Sequence, residues 1–177
     1  MKSALIVVDM LNAYDHEDAE VLVRSVREAL PAMRRIVERA QREGVPVVYV
    51  NDNHGDWAAG RRDLVERASA GRARELVEPI APADGTWFIA KARHSIFYET
   101  QLGYLLREQQ IERIVLVGQV TEQCILYSAL DGYVRHFAVA VPRDAVAGIH
   151  PDLAQCALRM MERNMRADVT DADASAL

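Results

Sequence analysis

"RIVLVGQVTEQCILYSALDGYVRHFAVAV", residues 113–141, decides the fold. "RIVLVG" (113–118) is a short apolar run of the kind that forms a strand covered on both faces. "EQCILYSALDGYV" (122–134) reads as a helix, and "HFAVAV" (136–141) as the next strand. Strand, helix and strand in succession make a βαβ unit, whose crossover is right-handed and whose strands lie parallel. Between the first strand and its helix stands "QVTEQC", which places one of the chain's two cysteines on the opening turn of the helix.

The same alternation runs outward in both directions. "ALIVV" (4–8), "VPVVYV" (45–50) and "TWFIAK" (86–91) read as three earlier strands. From residue 20 to Gln41, apolar residues recur at Leu22, Val26, Leu30, Met33, Val37 and Ala40, the three- and four-residue steps of one helical face. Pro31 is expected to kink or restart that helix, and Gly44 to stop it. Residues 61–80 read as a charged helical excursion, 99–110 and 151–165 as further helices, and "ADVT" as a short final strand. The pattern predicts an α/β protein: a three-layer α/β/α sandwich, Rossmann-like, around a mostly parallel sheet of five or six strands. Residues 1–177 are expected to form a single domain, since no repeat or linker interrupts them.

Composition narrows the function classes. The net charge is −5, and arginine-rich stretches such as "RRDLVER" are balanced by acids, so nucleic acid is not expected as a partner. The apolar run at the N-terminus meets Asp9 too soon for a signal segment, and no stretch approaches the roughly 20 apolar residues of a bilayer span. Two cysteines make no disulfide framework, which points to a reducing, cytoplasmic setting.

Ligands of open parallel sheets sit at the carboxyl ends of the strands. There the chain places Asp9, Asn51 with Asp52, Lys91, and the segment leading to Cys124. Each has a plain alternative. Asp9 could cap a turn, and Lys91 could be an ordinary surface lysine. Lys2 and Lys91 are, however, the only lysines in a chain that otherwise uses arginine. If Thr121 caps the helix, Cys124 falls on its first turn, where free N–H groups and the helix dipole favour a thiolate and could hold an oxyanion. The alternative is a small buried hydrophobe, which is how Cys156, mid-helix between Leu153 and Met160, is read. None of the five histidines is placed as plainly as Lys91.

Taken in order, "ALIVVDMLNAY", "GVPVVYVND" and "KARHSIFYETQLGYLLREQQIERIVLVGQVTEQCILYSALDGYVRHFAVAVPRDAVAG" resemble the isochorismatase-like cysteine hydrolases, the superfamily of nicotinamidases and N-carbamoyl amide hydrolases. The resemblance covers residues 4 to about 165. It implies that Cys124 is the nucleophile, Asp9 the general base and Lys91 the cation holding the pair. It also implies a cis peptide between Gln119 and Val120, with the N–H groups of Val120 and Cys124 as the oxyanion hole. Asn12, Tyr14, Asn51, Asp52, Trp57, Phe97 and Thr121 become the expected substrate-contacting residues, Tyr14 as a pocket wall.

Two departures matter. Leu11 stands where the family often has glutamine. Of the Asp and two His that bind metal in nicotinamidases, only Asp52 and His54 have counterparts; no second histidine follows before His94. Neither a metal nor another cofactor is therefore expected. The implied reaction is C–N hydrolysis of a small amide, carbamoyl, lactam or imide through a thioester. The competing readings are isochorismate-type vinyl ether hydrolysis and a non-catalytic ligand-binding or redox-sensing protein. A small-molecule substrate and a homodimer or homotetramer are the expected partners. Arg93 either meets a substrate carboxylate or faces solvent.

Overall fold

The computed structural model describes residues 1–177. Its core is a six-stranded sheet of parallel pairs, β1 (Ser3–Val8), β2 (Val47–Asp52), β3 (Trp87–Lys91), β4 (Arg113–Gln119), β5 (Ala138–Ala140) and β6 (Val146–Ala147). The order is β3-β2-β1-β4-β5, with β6 pairing the C-terminal end of β4. The helices are α1 (Ala19–Glu43), α2 (Arg61–Ser69), α3 (Arg74–Val77), α4 (Leu102–Glu108), α5 (Leu126–Val134) and α6 (Pro151–Met165).

Alternation along the strands sorts the core into two layers. Leu5, Val7, Val115 and Val117 pack against Leu22, Val26, Met33 and Ile36 of α1. Ala4, Ile6, Val8, Ile114 and Leu116 face the other way, onto Leu106 of α4, Ala129 of α5 and Met161 of α6. Both faces of β1 and β4 are thus covered, which is why their sequences are continuously apolar rather than alternating. The sandwich has the expected three layers. No helix is long and apolar enough to cross a membrane.

Three details differ from the sequence reading. α1 continues through Pro31 as one helix, without a restart. That residue is exposed while Leu30, Met33 and Val37 are buried, so tertiary packing on the opposite face keeps the helix continuous. "ADVT" supplies only a single bridge, Asp168 to Ala140. The sixth strand is instead β6, whose two residues are too few to leave a periodic signature.

The chain first winds outward from β1 to β2 and β3, then returns to the far side of β1 as β4. The reversal leaves a crevice between the carboxyl ends of β1 and β4, where ligands of such sheets are bound. At that point the strands approach closely. A Cβ on Gly118 would run into the Val8 carbonyl, and its φ of 119° suits glycine alone.

Candidate active site

Four segments deliver side chains to this crevice. Asp9 follows β1 directly, its φ of 55° turning the chain out of the strand. Its Oδ1 accepts the Asp52 N–H at 2.7 Å, and its Oδ2 lies 2.9 Å from Lys91 Nζ. Lys91, the last residue of β3, has a side chain 0% exposed. Its ammonium also stands 3.5 Å from Asp52 Oδ2 and 3.7 Å from Cys124 Sγ. Burial works against that charge, but Asp9, Cys124 and Asp52 outweigh it, and the lysine's pKa lies above its ordinary value. Acid, amine and sulfur, far apart in sequence, therefore meet.

Cys124 departs from expectation in two respects. Thr121 does not cap an α-helix: Thr121–Ile125 form a π-helical turn leading into α5, preceded by extended Val120 and without a side-chain cap. The sulfur is also held as a thiol. Burial and the Asp9 carboxylate push its pKa up to about 12, against the opposing pull of Lys91 and a backbone hydrogen bond at Val120. Desolvation of a residue only 8% exposed overrides the favourable helix end. The peptide bond between Gln119 and Val120 is cis.

The seven expected substrate-contacting residues divide. Trp57, 83% exposed, lines a cavity of about 410 Å³ together with Lys91, Asn53, Arg93 and Tyr98. Asp52 is partly exposed beside Lys91. The others lie elsewhere. Tyr14 is buried in the α1-side core, its phenol pushed up to about 12 by burial and donating to Gln119 Oε1 at 3.4 Å. Asn51 brackets Leu11, accepting its N–H at 2.8 Å and donating to its carbonyl at 3.1 Å, so its amide is consumed in joining β2 to the loop after β1. Asn12 accepts the Tyr14 N–H at 2.7 Å and lines a separate hollow with His16 and Leu64. Phe97 stacks on Phe137 in the α5-side core, and Thr121 is buried beside the cavity between α1 and α6. An aromatic or polar residue after a strand reads alike whether it turns toward the crevice or beneath it.

Two residues were not singled out from the sequence. Gln119, buried, donates through Nε2 to the Asp9 carbonyl at 2.6 Å and ties Tyr14 to the base of the crevice. His94 brings Nδ1 to 3.5 Å from Cys124 Sγ. Their signals were available: a polar residue at the end of an apolar strand, and a histidine three positions after the strand-end lysine.

Asp52 and His54 do not fit a metal ion. The His54 ring contacts the Leu11 carbonyl through Nε2 at 3.1 Å, Asp52 accepts the His54 N–H at 2.8 Å, and no group of three or more His, Cys, Asp or Glu is disposed around a common point.

Comparison with known proteins bears on the family and the fold. The isochorismatase domain family matches residues 3–174. An uncharacterised isochorismatase family protein of Bacillus subtilis, YaaI, is 32% identical over 167 residues, covering 94% of this chain and 92% of its own. Among solved structures, a Bacillus subtilis nicotinamidase superposes with a TM-score of 0.78 at 28% identity, covering 97% of this chain and 100% of its own. An N-carbamoylsarcosine amidase from Thermoplasma acidophilum gives 0.75 at 28% identity, with both chains covered completely.

Proposed function

The chain belongs to the isochorismatase family, and from that membership we propose that it is a cysteine hydrolase, cleaving the C–N bond of a small amide, carbamoyl, lactam or imide through a thioester on Cys124. The observation that carries this reading is Lys91 Nζ lying 2.9 Å from the Asp9 carboxylate and 3.7 Å from the Cys124 sulfur. Amide hydrolysis is also the activity in the names of the nicotinamidase and N-carbamoylsarcosine amidase that this fold matches.

A thiol whose pKa is near 12 is scarcely ionised at neutral pH, so attack must be coupled to removal of its proton. Asp9 is the general base for that transfer, and Lys91 balances charge on both sides of it. The substrate carbonyl carbon accepts the sulfur. The carbonyl oxygen becomes an oxyanion held by the N–H groups of Val120 and Cys124. As the C–N bond breaks, the proton passes to the leaving nitrogen. Water deprotonated by Asp9 then attacks the thioester, releasing the acid and restoring the thiol. The cavity past Lys91 admits the substrate, with exposed Trp57 and Arg93 at its rim.

The test is turnover of a panel of primary amides, carbamoyl compounds, lactams and imides by the wild type and by Cys124→Ala, with mass spectrometry for a covalent adduct. Hydrolysis that vanishes in the variant, with an acyl mass on the Cys124 peptide, is the expected result. Undiminished hydrolysis by Cys124→Ala would refute the thioester. Isochorismate belongs in the same panel, because vinyl ether cleavage needs no thiol and would survive that substitution.

A further inference from the structure

The Cys124 sulfur has a basic neighbour on its solvent side that the Asp9–Lys91–Cys124 arrangement leaves unused. His94, in the loop after β3, is exposed, and its Nδ1 lies 3.5 Å from Sγ. Its ring is held against Tyr127 of α5, with centroids 5.4 Å apart and planes tilted by 44°. The titratable and charged groups around it are Cys124 and Tyr127 on the helix side and Arg93 on its own loop, with Lys91 and Asp9 behind the sulfur. A thiol is a donor and an unprotonated ring nitrogen an acceptor, so S–H···Nδ1 is the matched arrangement, with the imidazole proton on Nε2.

Charge balance favours use of this contact. With a thiol and a neutral imidazole, Asp9, Asp52 and Lys91 leave the cluster one net negative charge. Losing the thiol proton to bulk water would add a second negative charge beside largely buried carboxylates. Passing it to Nδ1 keeps the total unchanged. Passing it to Asp9 does so too, so Asp9 and His94 are two acceptors for one proton.

We propose that His94 is a second acid–base residue of the site, an acceptor alongside Asp9 that takes a share of the Cys124 proton transfer onto Nδ1 as the sulfur becomes nucleophilic and delivers that proton to the leaving nitrogen. In the first step the S–H bond breaks and an Nδ1–H bond forms; in the second, Nδ1–H breaks and N–H forms on the departing amine. No electrons are exchanged. The second step rests on the proposed function, whereas the first is a property of the free protein.

Iodoacetamide alkylation, followed by mass spectrometry of the Cys124 and Cys156 peptides from pH 5 to 11, tests the first step without any amide substrate. With the imidazole as acceptor, the Cys124 rate holds a shelf around neutral pH and climbs again only at high pH. His94→Asn, which keeps a polar side chain that does not titrate, erases the shelf and slows alkylation at pH 7 by about tenfold. Exposed Cys156 reports the reagent's intrinsic rate in each variant, and a thermal melt establishes that each is folded. His94→Phe gives the same loss from a different side chain. A shelf that survives in folded His94→Asn overturns the proposal. Because the readout needs no turnover, this result and the Cys124→Ala panel fail independently.

Discussion

Replacing Lys91 with methionine keeps most of the side-chain volume and removes the charge from a position with no solvent exposure. Three groups lose their partner at once: Asp9 at 2.9 Å, Asp52 at 3.5 Å and the Cys124 sulfur at 3.7 Å. Deleting one member of a buried ion pair costs about 3–5 kcal/mol, because the remaining charge is left uncompensated. For a chain of this length that corresponds to a melting temperature lower by about 6–20 °C. The pH dependence gives a sharper signature. The folded protein holds the Lys91 proton more tightly than the unfolded chain, whose lysine titrates near 10.5. The lysine's stabilisation is therefore complete below that value and disappears as the pH rises through the raised one. Lys91→Met has no such proton to lose, so the gap between variant and wild type is widest below pH 10.5 and narrows as the pH rises past it. Urea unfolding of both proteins at about pH 7, 9 and 11 measures this, and Asp9→Asn/Lys91→Met should be less destabilised than the two single losses added together. A Lys91→Met protein that unfolds with wild-type stability at pH 7 would show that the cluster is not the buried electrostatic unit described above.

Asp9→Asn removes the carboxylate that helps to raise the Cys124 thiol; its alkylation at pH 8 should quicken while amide turnover is lost, and a slower alkylation would contradict the assigned cause. Asn51→Ala deletes the bracket on Leu11 and should cost about 1–3 kcal/mol in urea unfolding, because the Leu11 N–H is left unpaired while its carbonyl keeps His54. The substrate-contact reading instead predicts a raised KM at unchanged stability, so unfolding and steady-state kinetics on one preparation separate the two. Gly118→Ala sets a Cβ against the Val8 carbonyl at a φ that L-residues avoid; it should abolish soluble expression or lower the melting temperature by more than about 10 °C.

How far such a chain can be read without coordinates depends on what each signal reports. Strands β1 and β4 were legible because burial on both faces leaves an uninterrupted apolar run, and α1 because ten buried positions repeat at helical spacing. The meeting of Asp9, Lys91 and Cys124 followed from parallel strands ending at one edge, sharpened by family resemblance. Side-chain direction was not legible. Tyr14, Asn51, Phe97 and Thr121 stand in the right segments yet turn into the core or across the loop, and a linear motif holds nothing that separates the two outcomes. The state of the thiol was misread for a related reason. A helix start is a local feature, whereas the burial that keeps the sulfur protonated is contributed by strands distant in sequence.

β1 lies between β2 and β4, and the whole stretch from Asp9 through Glu112 must be synthesised before β4 begins. A nascent chain emerging from the ribosome can pair β1 along one edge early, but its other edge stays bare until the second half of the protein appears. The thiol arrives later still, on the turn after β4. A product cut short before that turn thus lacks the sulfur as well as the last strands of the sheet.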